Sequence, residues 1–184
     1  MNGRAALAWL WIVALGAGAA MAYGIIQDQV AVRVSGEYFT IGHVPLFDTT
    51  SPTLLALGWG VADTWWLALP FGVLLAAAAR AGARRALGAG ELLRPVGLLF
   101  AMIALAAALA GALGYVLARN GVLDVPQDFV DLLPAERQQL FMADWWAHNA
   151  SCAVGVLGGI VLCLRLYRER ARKAVLSARR AAGK

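Results

Sequence analysis

Four apolar segments separated by polar stretches set the pattern of this chain: residues 5–26, 54–79, 95–118 and 145–167, each free of Lys and Arg except for Arg165 near the end of the last. About 20 apolar residues cross the hydrocarbon of a bilayer. In lipid a segment must also satisfy its own backbone hydrogen bonds, which a helix does. The pattern therefore predicts an all-α integral membrane protein, a bundle of four transmembrane helices in one domain spanning 1–184. Pro70 predicts a kink in the second helix, because it lacks an N–H and crowds the preceding turn. Arg4, the apolar run and Ala20-Met21-Ala22 also resemble a cleavable signal peptide, but the run continues to Ile26, so a retained helix is the expectation.

The connections carry weaker signals. Residues 27–53 form an outer loop in which Val30, Val32 and Val34 alternate with other residues, Ser35-Gly36 can turn, and Glu37-Tyr38-Phe39-Thr40-Ile41 resumes strand-like composition. A small outer β-hairpin between helices 1 and 2 is expected, turning at 35 and 36. Because Ser-Gly is a weaker hairpin turn than Asn-Gly, continuation of the first helix to about residue 34 is the alternative. Residues 119–144 form the second outer loop, where Leu133-Pro134-Ala135-Glu136 predicts a short amphipathic helix leading into the fourth span. Residues 168–184 form a basic, Ala-rich tail predicted to extend the last helix. Ala106, Ala110 and Gly114, and then Gly155 and Gly159, are small-residue stripes that let helices approach closely, within the bundle or between copies.

At 184 residues and 61% hydrophobic, the chain is more apolar than a soluble domain of this size. Thirteen of its 16 Lys and Arg lie on one side of the spans, against Arg33, Arg119 and Arg137 on the other. By the positive-inside rule both termini and the middle loop are cytoplasmic. The expected location is a bacterial inner membrane, with residues 27–53 and 119–144 facing the periplasm. The net charge of +5 then reflects basic flanks that meet anionic lipid, and no nucleic-acid partner is expected. Cys152 and Cys163, about 16 Å apart along one helix, cannot bridge each other. The topology is that of claudin-like tetraspan proteins, but the paired loop cysteines and W-GLW signature of that family are absent, and no family is assigned.

Charge placement directs attention to the outer face, which holds both histidines and eight of the 11 acidic residues. Trp59, Trp65, Trp66, Trp145 and Trp146 are expected to form an outer aromatic belt. Asp144 and His148, spaced i, i+4, share one helix face with Ser151 and Cys152. His43, His148, Asp144, Glu37 and Asp28 are the candidate ligands of a divalent metal, for which mixed nitrogen and oxygen donors would suit zinc, iron, manganese or copper. The competing reading makes His148–Asp144 a helix-end pair and His43 an ordinary loop residue. Asp63 lies below the interface, where an ionisable side chain is costly and is usually paired or functional, with His148, Arg33 and Arg119 as candidate partners. Tyr38 completes the candidates, within the polar and aromatic run 37–43. Three function classes follow: a periplasmic-face carboxylate and histidine pocket performing metal or acid–base chemistry; a non-enzymatic scaffold or accessory subunit that binds a larger membrane partner or a second copy of itself; and a channel or transporter using Asp63.

Overall fold

The computed structural model describes residues 3–44 and 46–182, and every regular element among them is a helix. Lys184, counted above in the basic tail, lies outside the described residues. Helix α1 (Gly3–Val34) is followed by the short α2 (Gly36–Thr40), then α3 (Pro52–Ala62) and α4 (Trp65–Arg80), α5 (Ala89–Arg119), the single turn α6 (Gln127–Val130), a 3-10 turn (Ala135–Arg137) and α7 (Gln138–Ala182). α1, α5 and α7 are each long and apolar enough to cross a membrane. α3 and α4 reach that length only together, as a pair bent by 47°. The described residues are thus compatible with a multi-pass membrane protein of three spans, or four where the bent pair crosses as one.

The bundle consists of two tightly packed halves. α1 lies along α3 and α4, and α5 lies along α7, while α4 meets α7 over a smaller area. Close approach explains glycines in both halves. A Cβ on Gly60 would sit 2.5 Å from the Cα of Ile25, and one on Gly72 would sit 2.6 Å from the carbonyl oxygen of Val13, so α1 touches the backbone of both pieces of the broken span. On the other side a Cβ on Gly114 would sit 2.8 Å from the Met142 carbonyl oxygen. The small-residue stripe of α5 therefore ends in an intramolecular contact, as bundles in lipid require where packing replaces the hydrophobic drive.

Two apolar cores close the ends. Phe39, Phe141, Trp59 and Tyr38 pack at the end that carries the long loops, and Ile12, Leu75, Leu92 and Leu166 pack at the basic end. At the basic end Arg170, only 5% exposed, donates to the carbonyl oxygens of Ala78 at 2.8 Å and Arg85 at 2.9 Å, and at greater distance to those of Ala81 and Arg84. It thereby serves the Ala78 carbonyl, which the end of α4 leaves without a helical partner, and ties the connection after α4 to α7.

The β-hairpin is absent: no strand occurs among the described residues, and the valines expected to form its first arm belong to the last turns of α1. Buried positions there are Gly24, Asp28, Ala31, Val32 and Ser35, a helical spacing, while Val30 is 59% exposed. The Ser35 N–H still donates to the Ala31 carbonyl at 2.9 Å, so the helical ladder continues to the break. A helix emerging from lipid satisfies its backbone internally, an advantage that outweighs the β preference of three valines. Ser35-Gly36 is a hinge between α1 and α2 and turns no strand. The second outer loop differs too: the 3-10 turn at Ala135–Arg137 runs directly into α7, with no separate surface helix between them. In the second span the bend falls at Asp63 and Thr64, and α4 continues through Pro70.

Candidate functional site

Four elements bring polar groups together beneath the loop-end core. Asp28 comes from α1, His43 from the segment after α2, Asp63 from the C-cap of α3, and His148 from α7. α2 is the device that returns the chain over the bundle: Tyr38 and Phe39 are buried and anchor it, and the next turn delivers His43. His43 sits between Trp59, at 4.5 Å between ring centroids, and Tyr38, at 4.8 Å, with Phe39 stacked beside it. The imidazoles of His43 and His148 are 6.4 Å apart by centroids, close enough to face one another edge-on.

Hydrogen-bond geometry defines the protonation of His43. Its Nδ1 lies 2.8 Å from the carbonyl oxygen of Tyr38, which can only accept, so Nδ1 carries a hydrogen. Its Nε2 lies 3.2 Å from Oδ2 of Asp63. A lone pair on that nitrogen would face a carboxylate lone pair, so a proton must lie between them, on the imidazole or on the carboxyl. Burial by itself pulls the His43 pKa down, but the Asp63 bond together with the Tyr38 carbonyl outweighs it and raises the value above 6.5. The pair therefore holds an exchangeable proton. Burial pushes the Tyr38 hydroxyl up, so it stays protonated.

His148 is placed differently. Its Nε2 lies 3.6 Å from Sγ of Cys152 one turn along α7, and its ring packs 5.7 Å from that of Tyr38. Next to it Ser151 and the Tyr23 hydroxyl are within 3.2 Å, and Tyr23 donates to Gln27 at 3.2 Å. These groups roof a slot of about 250 Å³ between α1, α4, α5 and α7. Asp28, Asp63, Thr64, His148, Ser151 and Cys152 lie at its head, and its body is apolar as far as Cys163.

The remaining candidates do other work. Glu37 accepts two hydrogen bonds from Arg137, at 2.8 Å and 3.0 Å, and one from Ser35 at 3.0 Å. The Arg137 guanidinium, aided by the Ser35 hydroxyl, holds the Glu37 carboxyl down at about 2. Asp144 is 5% exposed and accepts from the Ser35 N–H at 3.1 Å. Both acids latch the α1–α2 hinge onto the start of α7. Arg33 is exposed and bonds Gln29 and Thr53, and Arg119 is exposed at the end of α5, so neither is the partner of Asp63. The aromatic belt is also incomplete: Trp65 and Trp66 are exposed, whereas Trp59 is 5% exposed and packs on His43. Among the described residues no group of three or more His, Cys, Asp or Glu side chains is disposed to hold a metal ion.

Tyr23, Gln27 and Thr64 also belong to the site, although sequence reasoning missed them. Tyr23 and Gln27, spaced i, i+4 on the face that continues to Asp28, were the available signal. No family model matches the chain, and no curated protein or solved structure matches it.

Proposed function

We propose that this is a polytopic inner-membrane protein with an acid–base site at its periplasmic face, in which the His43–Asp63 pair stores a proton at the head of a membrane-embedded slot. The proposed orientation, with both termini and the 81–88 connection in the cytoplasm, is supported by the Lys and Arg distribution under the positive-inside rule. The chemistry rests on one observation: His43 is held between a carbonyl that fixes its Nδ1 hydrogen and the Asp63 carboxyl, with which its Nε2 must share a further proton. Asp63, which lines the slot, can pass that proton to a group entering beneath it and recover it through His43, as general acid–base pairs do. His148, 6.4 Å away by ring centroids, and the Tyr23–Ser151 pair supply further polar contacts to such a group.

A shared centre for zinc, iron, manganese or copper has less support, since Glu37 and Asp144 are engaged with Arg137 and Ser35 and no triad of ligands faces one point among the described residues. The channel reading has little more, because the slot below Ser151 and Cys152 is apolar. Histidine-selective NMR of the protein in lipid nanodiscs tests the acid–base reading. His43 should titrate above 6.5, and Asp63→Asn, which keeps the shape and removes the charge, should bring it below that value. An unchanged His43 titration in Asp63→Asn would refute a shared proton.

A further inference from the structure

The geometry points to the slot as a binding site for the uncharged, hydrogen-bonding ring of a lipid-soluble quinone or quinol, with its hydrocarbon tail leaving sideways into the bilayer. Polarity along the slot is one-sided. Its donors and acceptors gather at the loop end, and everything from Leu67 and Phe71 to Ile160 is apolar apart from thiols. From His148 to Cys163 the lining face of α7 runs about 22 Å at 1.5 Å per residue, long and narrow in the manner of a head group followed by a chain. Such a division selects an amphiphile over a wholly polar solute.

Three further features narrow the class. The head carries two carboxyl groups, Asp28 and Asp63, and no Lys or Arg lines the slot, so an anionic headgroup finds no counter-charge there. The upper walls are aromatic: Tyr23 stacks on Phe100 at 5.5 Å, and Phe71 meets Phe100 edge-on at 6.4 Å, which suits a flat ring. The slot also reaches the outer surface of the bundle, since Pro70 and Leu74 on α4 and Val156 and Ile160 on α7 line it and are themselves exposed. At about 250 Å³ it accommodates a ring and the first part of a chain, below the roughly 300 Å³ at which sites for larger ligands begin. Only the head group rests on the acid–base reading, through Asp63, which both lines the slot and pairs with His43.

Purified protein in detergent, challenged with a fully substituted benzoquinone bearing a ten-carbon chain, tests this directly; full substitution leaves the Cys152 thiol no open ring carbon to attack. Native mass spectrometry should show one quinone per chain, and the melting temperature should rise with quinone concentration. Decanoate, with the same tail length and an anionic head, should bind at least tenfold more weakly. Gly155→Leu provides the site test. Gly155 lines the slot and a Cβ there meets only Ile103 Cδ1, at 3.6 Å, so a side chain can grow into the space without moving backbone. Gly155→Leu should melt like the wild type without ligand and bind quinone at least tenfold more weakly. Should that variant misfold, Tyr23→Phe, which removes one head-group hydroxyl, should still weaken binding severalfold. Equal quinone binding by folded Gly155→Leu, or equal retention of decanoate, overturns the inference. If His43 titrates as expected but no quinone is retained, this inference fails and the acid–base reading stands. If quinone is retained while Asp63→Asn leaves His43 unmoved, the binding site stands and the stored proton does not.

Discussion

Replacing Arg170 with Ala removes the clamp that joins the end of α4 to α7. The guanidinium is 5% exposed and makes two short bonds, to Ala78 at 2.8 Å and to Arg85 at 2.9 Å. Hydrogen bonds from a charged donor contribute about 1.5–3 kcal/mol each, and a buried carbonyl left without its donor loses that contribution in full. The two short bonds thus represent about 3–6 kcal/mol. The bonds to Ala81 and Arg84, at 3.2 Å and 3.3 Å, are longer and partly wet and add little. Burying a cation close to Arg84 and Arg80 offsets part of the gain, which brings the expected net loss for Arg170→Ala to about 2–4 kcal/mol. Arg170→Lys keeps the charge but loses the planar fork, and should recover about half of it. Denaturant titration of the purified protein in mixed micelles, followed by tryptophan fluorescence, measures both. Arg168→Ala is the control, because Arg168 is exposed two residues away and its loss should stay within about 0.5 kcal/mol. If Arg170→Ala unfolds at the same denaturant concentration as Arg168→Ala, the clamp contributes nothing and the basic end is held together in some other way.

Other changes follow from the same contacts. Gly72→Ala places a Cβ 2.6 Å from the Val13 carbonyl oxygen and should destabilise the α1–α4 contact by about 1–3 kcal/mol, whereas Gly97→Ala, with open space around it, should be neutral or gain up to about 1 kcal/mol of helix propensity; equal unfolding midpoints for the two would discount the close crossing. The Glu37–Arg137 latch sets an acid dependence. Because the folded Glu37 value lies near 2, below the ordinary 4.5, its stabilisation is present above 4.5 and is lost as the pH falls toward 2; Arg137→Gln should flatten that fall in an acid titration of the unfolding midpoint. His43 works in the opposite direction. Its value is raised above 6.5, so the stabilisation from its partner is complete below 6.5 and disappears as the pH rises through the folded value, and Asp63→Asn should abolish this alkaline loss in the same titration.

Spans and charge asymmetry were legible in the sequence because lipid imposes one overriding constraint: apolar length decides whether a segment crosses, and few alternatives compete with a helix there. At the interface that constraint weakens. Val30, Val32 and Val34 alternate like a strand, yet they sit on a helix that has already paired its backbone, and the packing of Ala31 and Val32 against the loop-end core settles the conformation. The pocket was legible as a gathering of residue types and not as a set of pairs. His43, Asp63, His148 and Asp28 do converge, but Asp144 and Glu37 are spent on Ser35 and Arg137, contacts spanning about a hundred residues that no local spacing reveals. The Gln27–Asp28 end of α1 reads in the sequence as a boundary of the span; with α1 continuing to Val34 it becomes a lining wall, and Tyr23 enters the site with it.

The break at Asp63 and Thr64 connects these features. A continuous helix from Pro52 to Arg80 would keep its backbone satisfied throughout and would not make Asp63 a helix cap. Interrupting it makes Asp63 the C-cap of α3 and turns α4 by 47° relative to α3, while α1 stays in backbone contact with both pieces through Gly60 and Gly72. Irregular backbone at membrane depth is tolerated where it lines a cavity, and here it lines the head of the slot. The carboxyl that the break exposes is the one that binds His43. Asp63 therefore belongs at once to the break, to the lining of the slot and to the His43 pair, so Asp63→Ala should remove the His43 partner and lower the His43 titration in histidine-selective NMR; a His43 titration unchanged in that variant would separate the break from the pair.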